Sequence, residues 1–326
     1  MRLIDADVVA GGLEPLTLVE ALREAHREGG MGEVERLSIE APGTADAALT
    51  WLAWHPARGV AVKTATVFPG NSSSGSGPNI QSVVTLFDAA CGRPLAAIRG
   101  ESFTRMKTAA DSALAADLLA RRDAATLAVL GAGGQAKTHV RFHRAVRPSL
   151  RRVLIWNRTA ESGERLAGEL REDGVDATAL ADPEAAVREA DIVSCLTASA
   201  DPVLRGPWLR PGAHVDLVGG FTPAMRESDD EVVRRGRLFA DTLRFTLAAC
   251  GDYATPIAEG VIAREAIEGD LFDLCAARIA GRRSADEITV FKNGGGGHLD
   301  LIVARAIWDL CANTDSPYNR PHLHGP

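Results

Sequence analysis

Lysine is almost missing from this chain. Of 36 basic residues only four are lysine: Lys63, Lys107, Lys137 and Lys292. Where arginine serves nearly everywhere else, a remaining lysine points to a place that needs a compact ammonium with a tunable pKa. Cysteine is scarce as well. The five, at positions 91, 195, 250, 275 and 311, are scattered, odd in number and without CxxC spacing. This argues against a disulfide framework or a structural zinc site and predicts a reduced, cytoplasmic protein with no metal. No hydrophobic run is long enough to span a bilayer, and Met1 to Asp7 carries acids early with no signal-peptide core. Positive charge is in deficit: the formal net charge is −7 and the pI about 5.7. Neither nucleic acid nor an anionic membrane is therefore expected as a partner. What is present is 326 residues, enough for two domains and a sizeable core.

The most informative stretch is Val129-Leu130-Gly131-Ala132-Gly133-Gly134-Gln135-Ala136. It follows an apolar run, Ala124 to Leu130, and opens a segment of helical periodicity, Lys137 to Val146. Gly131 permits a tight turn, Gly133 lets the main chain approach a pyrophosphate, and Ala136 is small enough for helix to lie on strand. The unpaired N–H groups of the helix start, Gly134 and Gln135 among them, then favour phosphate. A G-x-G-x-x-A pattern alone is weak, but here it has the strand before it and the helix after it.

The next strand, Arg152 to Trp156, ends in Asn157-Arg158-Thr159. A site selective for NAD places Asp or Glu near here. Asn, Arg and Thr instead make a small polar bowl whose guanidinium suits a 2′-phosphate, so NADP(H) is expected. A third strand (191–196), a fourth (214–218) and a fifth (239–241) complete the series. The loop after the fourth, Gly219-Gly220-Phe221-Thr222-Pro223, lies where ligands sit in open α/β sheets and is expected to face the nicotinamide. Further cofactor contacts are expected at Thr197 and Gly294.

Before the glycine motif the chain reads differently. Residues 6–28 carry amphipathic helices, with Leu18, Leu22 and Ala25 on one face. From Glu35 to Ile98 the text is β-rich, with segments at 48–54, 59–67 and 80–87 bounded by Gly, Pro and Asn. Pro69 to Pro78, rich in Gly and Ser, reads as a mobile loop at the rim of a site. A long alanine-rich helix, Thr104 to Ala120, leads into the glycine motif. Late in the chain a strand, Ile288 to Phe291, precedes Lys292-Asn293-Gly294-Gly295-Gly296-Gly297 and a helix from His298. The glycine run reads either as a second N–H nest or as a hinge for a last helix returning to the first domain. The tail from Asn313 to Pro326 looks frayed. The expected fold class is α/β. A smaller α+β substrate and dimerisation domain spans 1–120, with 298–326 packing back on it, and a Rossmann domain spans 121–297.

Taken together these segments resemble the ornithine cyclodeaminase/mu-crystallin family. The resemblance rests on Gly59 to Thr64, Phe68 to Asn71, Phe103 to Ala110, the Gly131 motif, Trp156 to Thr159, Arg226-Glu227, Cys250 to Asp252 and Asp286 to Gly294. It covers nearly the whole chain in order and spacing. It implies a Rossmann domain plus a substrate domain that dimerises through its sheet. The implied activities are NAD(P)-linked: ornithine cyclodeamination, alanine dehydrogenation and reduction of cyclic ketimines bearing a 2-carboxylate.

Carried over residue by residue, Lys63 matches the family's active-site lysine and Arg36 an arginine that grips the substrate carboxylate. Lys107 stands where many members have a second carboxylate-binding arginine. The departure that matters most is Phe221: the cyclodeaminases carry an aspartate there, acting on the amine and water, and Asp216 is five residues too early to replace it. Reductases similar to mu-crystallin lack that aspartate and use NADPH. The resemblance therefore implies reduction of Δ1-pyrroline-2-carboxylate to L-proline, or of Δ1-piperideine-2-carboxylate to L-pipecolate, by a homodimer. Arg36, Lys63 and Lys107 would orient the carboxylate, and Lys63 is also a candidate proton donor to the imine nitrogen. Asn71 and Gln81 are candidate polar neighbours of the substrate. His298 reads either as a donor in the site or as a cap, and Asp300 as structural. The alternatives are an ornithine or lysine cyclodeaminase, and a protein that retains NADPH and a small ligand with little turnover.

Overall fold

Two sheets of different character organise the chain. A computed structural model describes residues 1–30, 32–44 and 46–312. Asn313 to Pro326, read as a frayed tail and as the end of the 298–326 segment, lies outside the described residues. Of the described residues, those within 1–25, 30–107 and 297–312 form one compact unit, and 26–29 and 108–296 form the other. The boundary read near residue 120 thus falls at Lys107, inside the helix Glu101–Leu119. That helix is continuous in sequence and offers no break to read.

The first unit is built on six strands: β1 (Arg2–Asp5), β2 (Glu33–Glu40), β3 (Ala47–His55), β4 (Gly59–Val67), β5 (Ile80–Phe87) and β6 (Pro94–Arg99). Their order is β1-β6-β5-β4-β3-β2, with β1 parallel to β6 and every other pair antiparallel. In β4 alternate residues face alternate sides, so Gly59, Ala61, Lys63 and Ala65 are buried while Val60, Val62 and Thr64 are half-buried. Small residues on the inner face admit a helix, Gly297–Ala312, which lies on β2 to β5. Glycine as its first residue eases that approach, since a Cβ there would crowd Val34 at 3.0 Å and Trp51 at 3.3 Å. Val303 and Ile307, fully buried on this helix, contribute roughly 1.5–3 kcal/mol each. The outer face keeps Leu37, Ile39, Leu52, Trp54 and Val83 between 38% and 61% exposed.

The second unit carries β7 (Thr126–Leu130), β8 (Arg152–Trp156), β9 (Asp176–Ala179), β10 (Ile192–Cys195), β11 (His214–Leu217), β12 (Gly236–Ala240), β13 (Ile267–Asp270) and β14 (Ile288–Lys292). All pairs are parallel, in the order β13-β12-β14-β11-β10-β7-β8-β9. The order reverses between β7 and β10, the switch point at which such sheets bind ligands. Continuous apolar strands serve two cores at once. Leu127 and Val129 pack with Ala136, Val140 and Ile155, while Ala128 and Leu130 pack with Leu154, Val193 and Leu217.

In this second sheet two strands went unread in the sequence. Asp176-Ala177-Thr178-Ala179 and Ile267-Glu268-Gly269-Asp270 carry little of the β-branched or aromatic text that marks a strand. The segment read as the third strand is therefore the fourth, and the one read as the fifth is the sixth, running 236–240. Among the described residues no helix is long and apolar enough to cross a membrane, and no three His, Cys, Asp or Glu side chains could hold a metal ion.

Candidate active site

Three strands bring a row of side chains together in the first unit. Arg36 pairs in register with Trp51, and Trp51 with Lys63, so the three lie side by side on the inner face. The Arg36 guanidinium and the Lys63 ammonium each stand 5.5 Å from the centroid of the Trp51 ring. The Phe103 ring is 5.9 Å from the same ammonium. Lys63 Nζ donates to Thr104 Oγ1 at 2.9 Å and stands 3.5 Å from Asp300 Oδ1. Asp300 also takes Lys107 Nζ at 2.9 Å. Lys63 is 6% exposed, Lys107 3% and Asp300 2%. Two ammonium groups thus share one buried carboxylate. Burial lowers the Lys63 pKa to about 8; Asp300 opposes that shift and Lys107 adds to it.

Not every candidate joins this cluster. Gln81 pairs with Thr66, which puts it on the opposite face of the sheet from Lys63. A one-residue parity separates it from the site, and as a substrate neighbour it is corrected on that ground. Asn71 opens a one-turn helix, Asn71–Ser74, and its side-chain amide donates to the Pro78 carbonyl at 3.2 Å. That bond closes the glycine- and serine-rich loop on itself. His298 is buried in the first turn of the helix Gly297–Ala312.

The second unit supplies a dinucleotide cradle. Gly131 has φ +110°, and a Cβ there would lie 2.8 Å from the Leu196 carbonyl oxygen, so a side chain is barred twice. Gly133 and Gly134 are exposed, with open space where a Cβ of Gly133 would project. Ala136 is fully buried at the start of the helix Ala136–Val146, and Gln135 sits at its N-cap. An anion can therefore approach the backbone over the glycines. Asn157 also braces the glycine turn against the end of β8. Its Oδ1 accepts from Ala132 N at 3.0 Å, and its Nδ2 donates to the Thr159 carbonyl at 2.9 Å. Arg158 and Thr159 are exposed, and the Arg158 guanidinium has no ion pair among the described residues.

Past β10 and β11 the loops are tied by one carboxylate. Glu227 Oε1 accepts from Thr197 N at 2.6 Å and Thr197 Oγ1 at 2.8 Å, and Oε2 accepts from Gly219 N at 2.6 Å. Asp252 holds the backbone of Glu227 at 2.8 Å and takes Lys292 Nζ at 3.0 Å. All three charged side chains are fully buried. Burial alone would lower the Lys292 pKa, but Asp252 and Glu227 hold it above the ordinary lysine value. Phe221, in the same loop as Gly219, is 47% exposed. Asp216 is fully buried and held at 2.8 Å by both Ser112 and Ser194, so it is committed to the interior.

The late glycine run does form a nest, and the chain fills it. Asp241 accepts from Gly294 N at 3.0 Å and from the backbone of Gly296 and Thr242. Gly294 therefore spends its N–H on Asp241, which corrects the expectation of a cofactor contact through that group. Trp51 and Thr104 join the site without any expectation from sequence, and Asp300, expected to be structural, joins it as well. The signal for Trp51 was its period-2 alignment with Arg36 and Lys63; for Asp300, whose partners are distant in sequence, no local signal exists.

The profile of the ornithine cyclodeaminase/mu-crystallin family matches residues 35–315. The chain is 42% identical over 291 residues to a Δ1-pyrroline-2-carboxylate reductase of Paracoccus denitrificans, covering 89% of this chain and 90% of that protein. To the mouse ketimine reductase mu-crystallin it is 33% identical over 249 residues, 76% of this chain and 74% of the other. Among solved structures, the Thermococcus litoralis Δ1-pyrroline-2-carboxylate reductase in complex with NADH and L-proline superposes with a TM-score of 0.89 at 29% identity, covering 95% of this chain and 97% of that one.

Proposed function

The chain belongs to the ornithine cyclodeaminase/mu-crystallin family, and from that premise we propose that it reduces a cyclic ketimine 2-carboxylate. The substrate is Δ1-pyrroline-2-carboxylate, giving L-proline, or Δ1-piperideine-2-carboxylate, giving L-pipecolate. The observation that carries this reading is the setting of Lys63: a buried ammonium whose nearby carboxylate, Asp300, is shared with a second lysine. A site so arranged can grip an anion and give up a proton. Among the described residues it offers no free carboxylate base of the kind an amine-releasing cyclodeaminase needs. Phe221, in the loop where an aspartate would serve that purpose, agrees.

When bound, a dihydronicotinamide dinucleotide supplies the hydride. The protein's own residues do the rest. Arg36 and Lys63, both set against Trp51, orient the substrate carboxylate, and Lys107 adds its charge through Asp300. Lys63 Nζ holds the proton destined for the imine nitrogen. Gly131 to Ala136 receive the pyrophosphate, Thr197 and Phe221 border the nicotinamide, and Arg158 pairs with a 2′-phosphate. The guanidinium of Arg158, exposed and without an ion pair among the described residues, and the Asn157 and Thr159 that flank it support NADP(H) over NAD(H).

A homodimer formed through the outer face of the first sheet accounts for the exposed Leu37, Ile39, Leu52 and Trp54. Five free cysteines fit a reducing, cytoplasmic setting. The test is a panel of both cyclic ketimines with NADPH and with NADH, followed by absorbance, alongside L-ornithine with NAD+. Oxidation of NADPH by either ketimine is expected. Ammonia and proline from ornithine, with no ketimine reduction, would replace this reading with cyclodeamination.

A further inference from the structure

Asp300 stands outside the set of residues expected to touch substrate, yet it is the hub of the first unit's charge cluster. The helix Gly297–Ala312 brings it down on the inner face of the sheet, where it meets Lys63 at 3.5 Å and Lys107 at 2.9 Å. We infer that Asp300 is the positioning residue that keeps Lys63 charged and aimed as the proton donor to the imine nitrogen, and that Lys107 sets the strength of that hold by competing for the same carboxylate. This rests on the reductase reading above and deepens it.

An ammonium has three N–H donors. On Lys63 one goes to Thr104 Oγ1 and one faces Asp300, which leaves one for a substrate atom. Two fixed donors define the direction of the third. Charge follows the same count, because two ammoniums and one carboxylate leave a single positive charge in a buried place. The Arg36 guanidinium over the same Trp51 ring adds to it, and the excess of positive charge suits a substrate carboxylate.

The other groups facing Lys63 are few. Arg36 from β2 shares the Trp51 ring, Lys107, Phe103 and Thr104 come from the helix Glu101–Leu119, and Val84 is its register neighbour on β5. His298 is buried on the same helix as Asp300. Among these only Asp300 is an anion. Without it, burial and Lys107 would both drive the proton off Lys63; with it, a proton remains that can be lost near pH 8.

In the step itself the imine carbon would take a hydride, with its electron pair, which a bound dihydronicotinamide would supply. The C=N π bond breaks, and the nitrogen forms a bond to the proton of Lys63 Nζ. Lys63 is left as a neutral amine and recovers its proton from water. The substrate is reduced and the dinucleotide oxidised, with no other reactant.

The scarcity of lysine makes the test direct, since only four lysines contribute to a lysine ¹³Cε spectrum. The intact protein, without substrate or dinucleotide, is titrated with the Lys63 signal assigned by its loss in Lys63→Met. A midpoint near 8 is expected in the native protein. In Asp300→Asn it falls by on the order of one pH unit. In Lys107→Gln it rises, because a competing cation is gone and Asp300 serves Lys63 alone. The alkaline limb of kcat/KM for Δ1-pyrroline-2-carboxylate shifts in the same two directions. An unmoved Lys63 midpoint in Asp300→Asn overturns the inference; so does one that fails to rise in Lys107→Gln, which decides the matter if Asp300→Asn does not fold. Midpoints that move while the kcat/KM limb stays put remove Lys63 as the donor. The titration needs no turnover, so its failure is distinct from failure of the reductase reading.

Discussion

Two buried lysine–carboxylate clusters, one in each unit, use the same residue types to opposite ends. In the first, Lys63 and Lys107 share Asp300, cations outnumber anions, and the Lys63 pKa comes down to about 8. In the second, Lys292 lies among two carboxyl groups, Asp252 and Glu227, and its pKa rises, while burial lifts that of Glu227 to about 8. Burial pushes both lysines the same way. The ratio of charges decides which can release a proton near neutrality and which is a permanent cation. In the proposed function the first cluster carries the chemistry. The second is built to hold Thr197 and Gly219, and with them the loops past β10 and β11.

The largest effects are expected at the two lysines themselves. Lys63→Met should leave a folded protein with kcat/KM for the cyclic ketimine lowered by about 10²–10⁴-fold, the range of a lost general acid, as read from NADPH oxidation. Lys292→Met should strike stability instead. It strands buried carboxylates and costs about 3–5 kcal/mol, visible as a lower midpoint in urea unfolding. If Lys292→Met unfolds normally and Lys63→Met is the one that fails to fold, the assignment of roles is inverted.

How much of this contrast was legible beforehand depends on range. β4 and β5 were readable to the residue at 59–67 and 80–87, because alternating small, β-branched and polar residues between glycine and proline punctuation define a strand locally. The Gly131 turn was readable for the same reason. Asp300 was not, because its meaning lies in meeting Lys63 and Lys107 across the fold. Gln81 was set on the wrong face by strand parity, and the N–H of Gly294 is taken by a carboxylate, Asp241, that nothing nearby in sequence announces. Asn157 was read as part of a ribose bowl, and its bond to Ala132 adds a structural role to that expectation.

Smaller effects follow along the same division. On the dinucleotide side, Arg158→Ala should erase about 10–100-fold of preference for NADPH over NADH, the value of a charge-assisted hydrogen bond, measured as the ratio of kcat/KM for the two cofactors. An unchanged ratio would detach Arg158 from the 2′-phosphate. On the substrate side, Gln81→Ala should alter KM for the ketimine by no more than about twofold, since a surface substitution away from the site is worth about 0.5 kcal/mol or less. A large rise in KM would return Gln81 to the site and contradict the β4–β5 register.

The most direct test is the pH dependence of kcat/KM for NADPH-linked reduction of Δ1-pyrroline-2-carboxylate by the native protein. With protonated Lys63 as the proposed active form, activity is expected to be retained below its pKa and lost as pH rises through about 8. Lys292, whose pKa is raised, keeps its proton across that range. A decline centred near pH 8 is predicted. A profile that stays level to about pH 10, or no NADPH oxidation at any pH, would contradict the account.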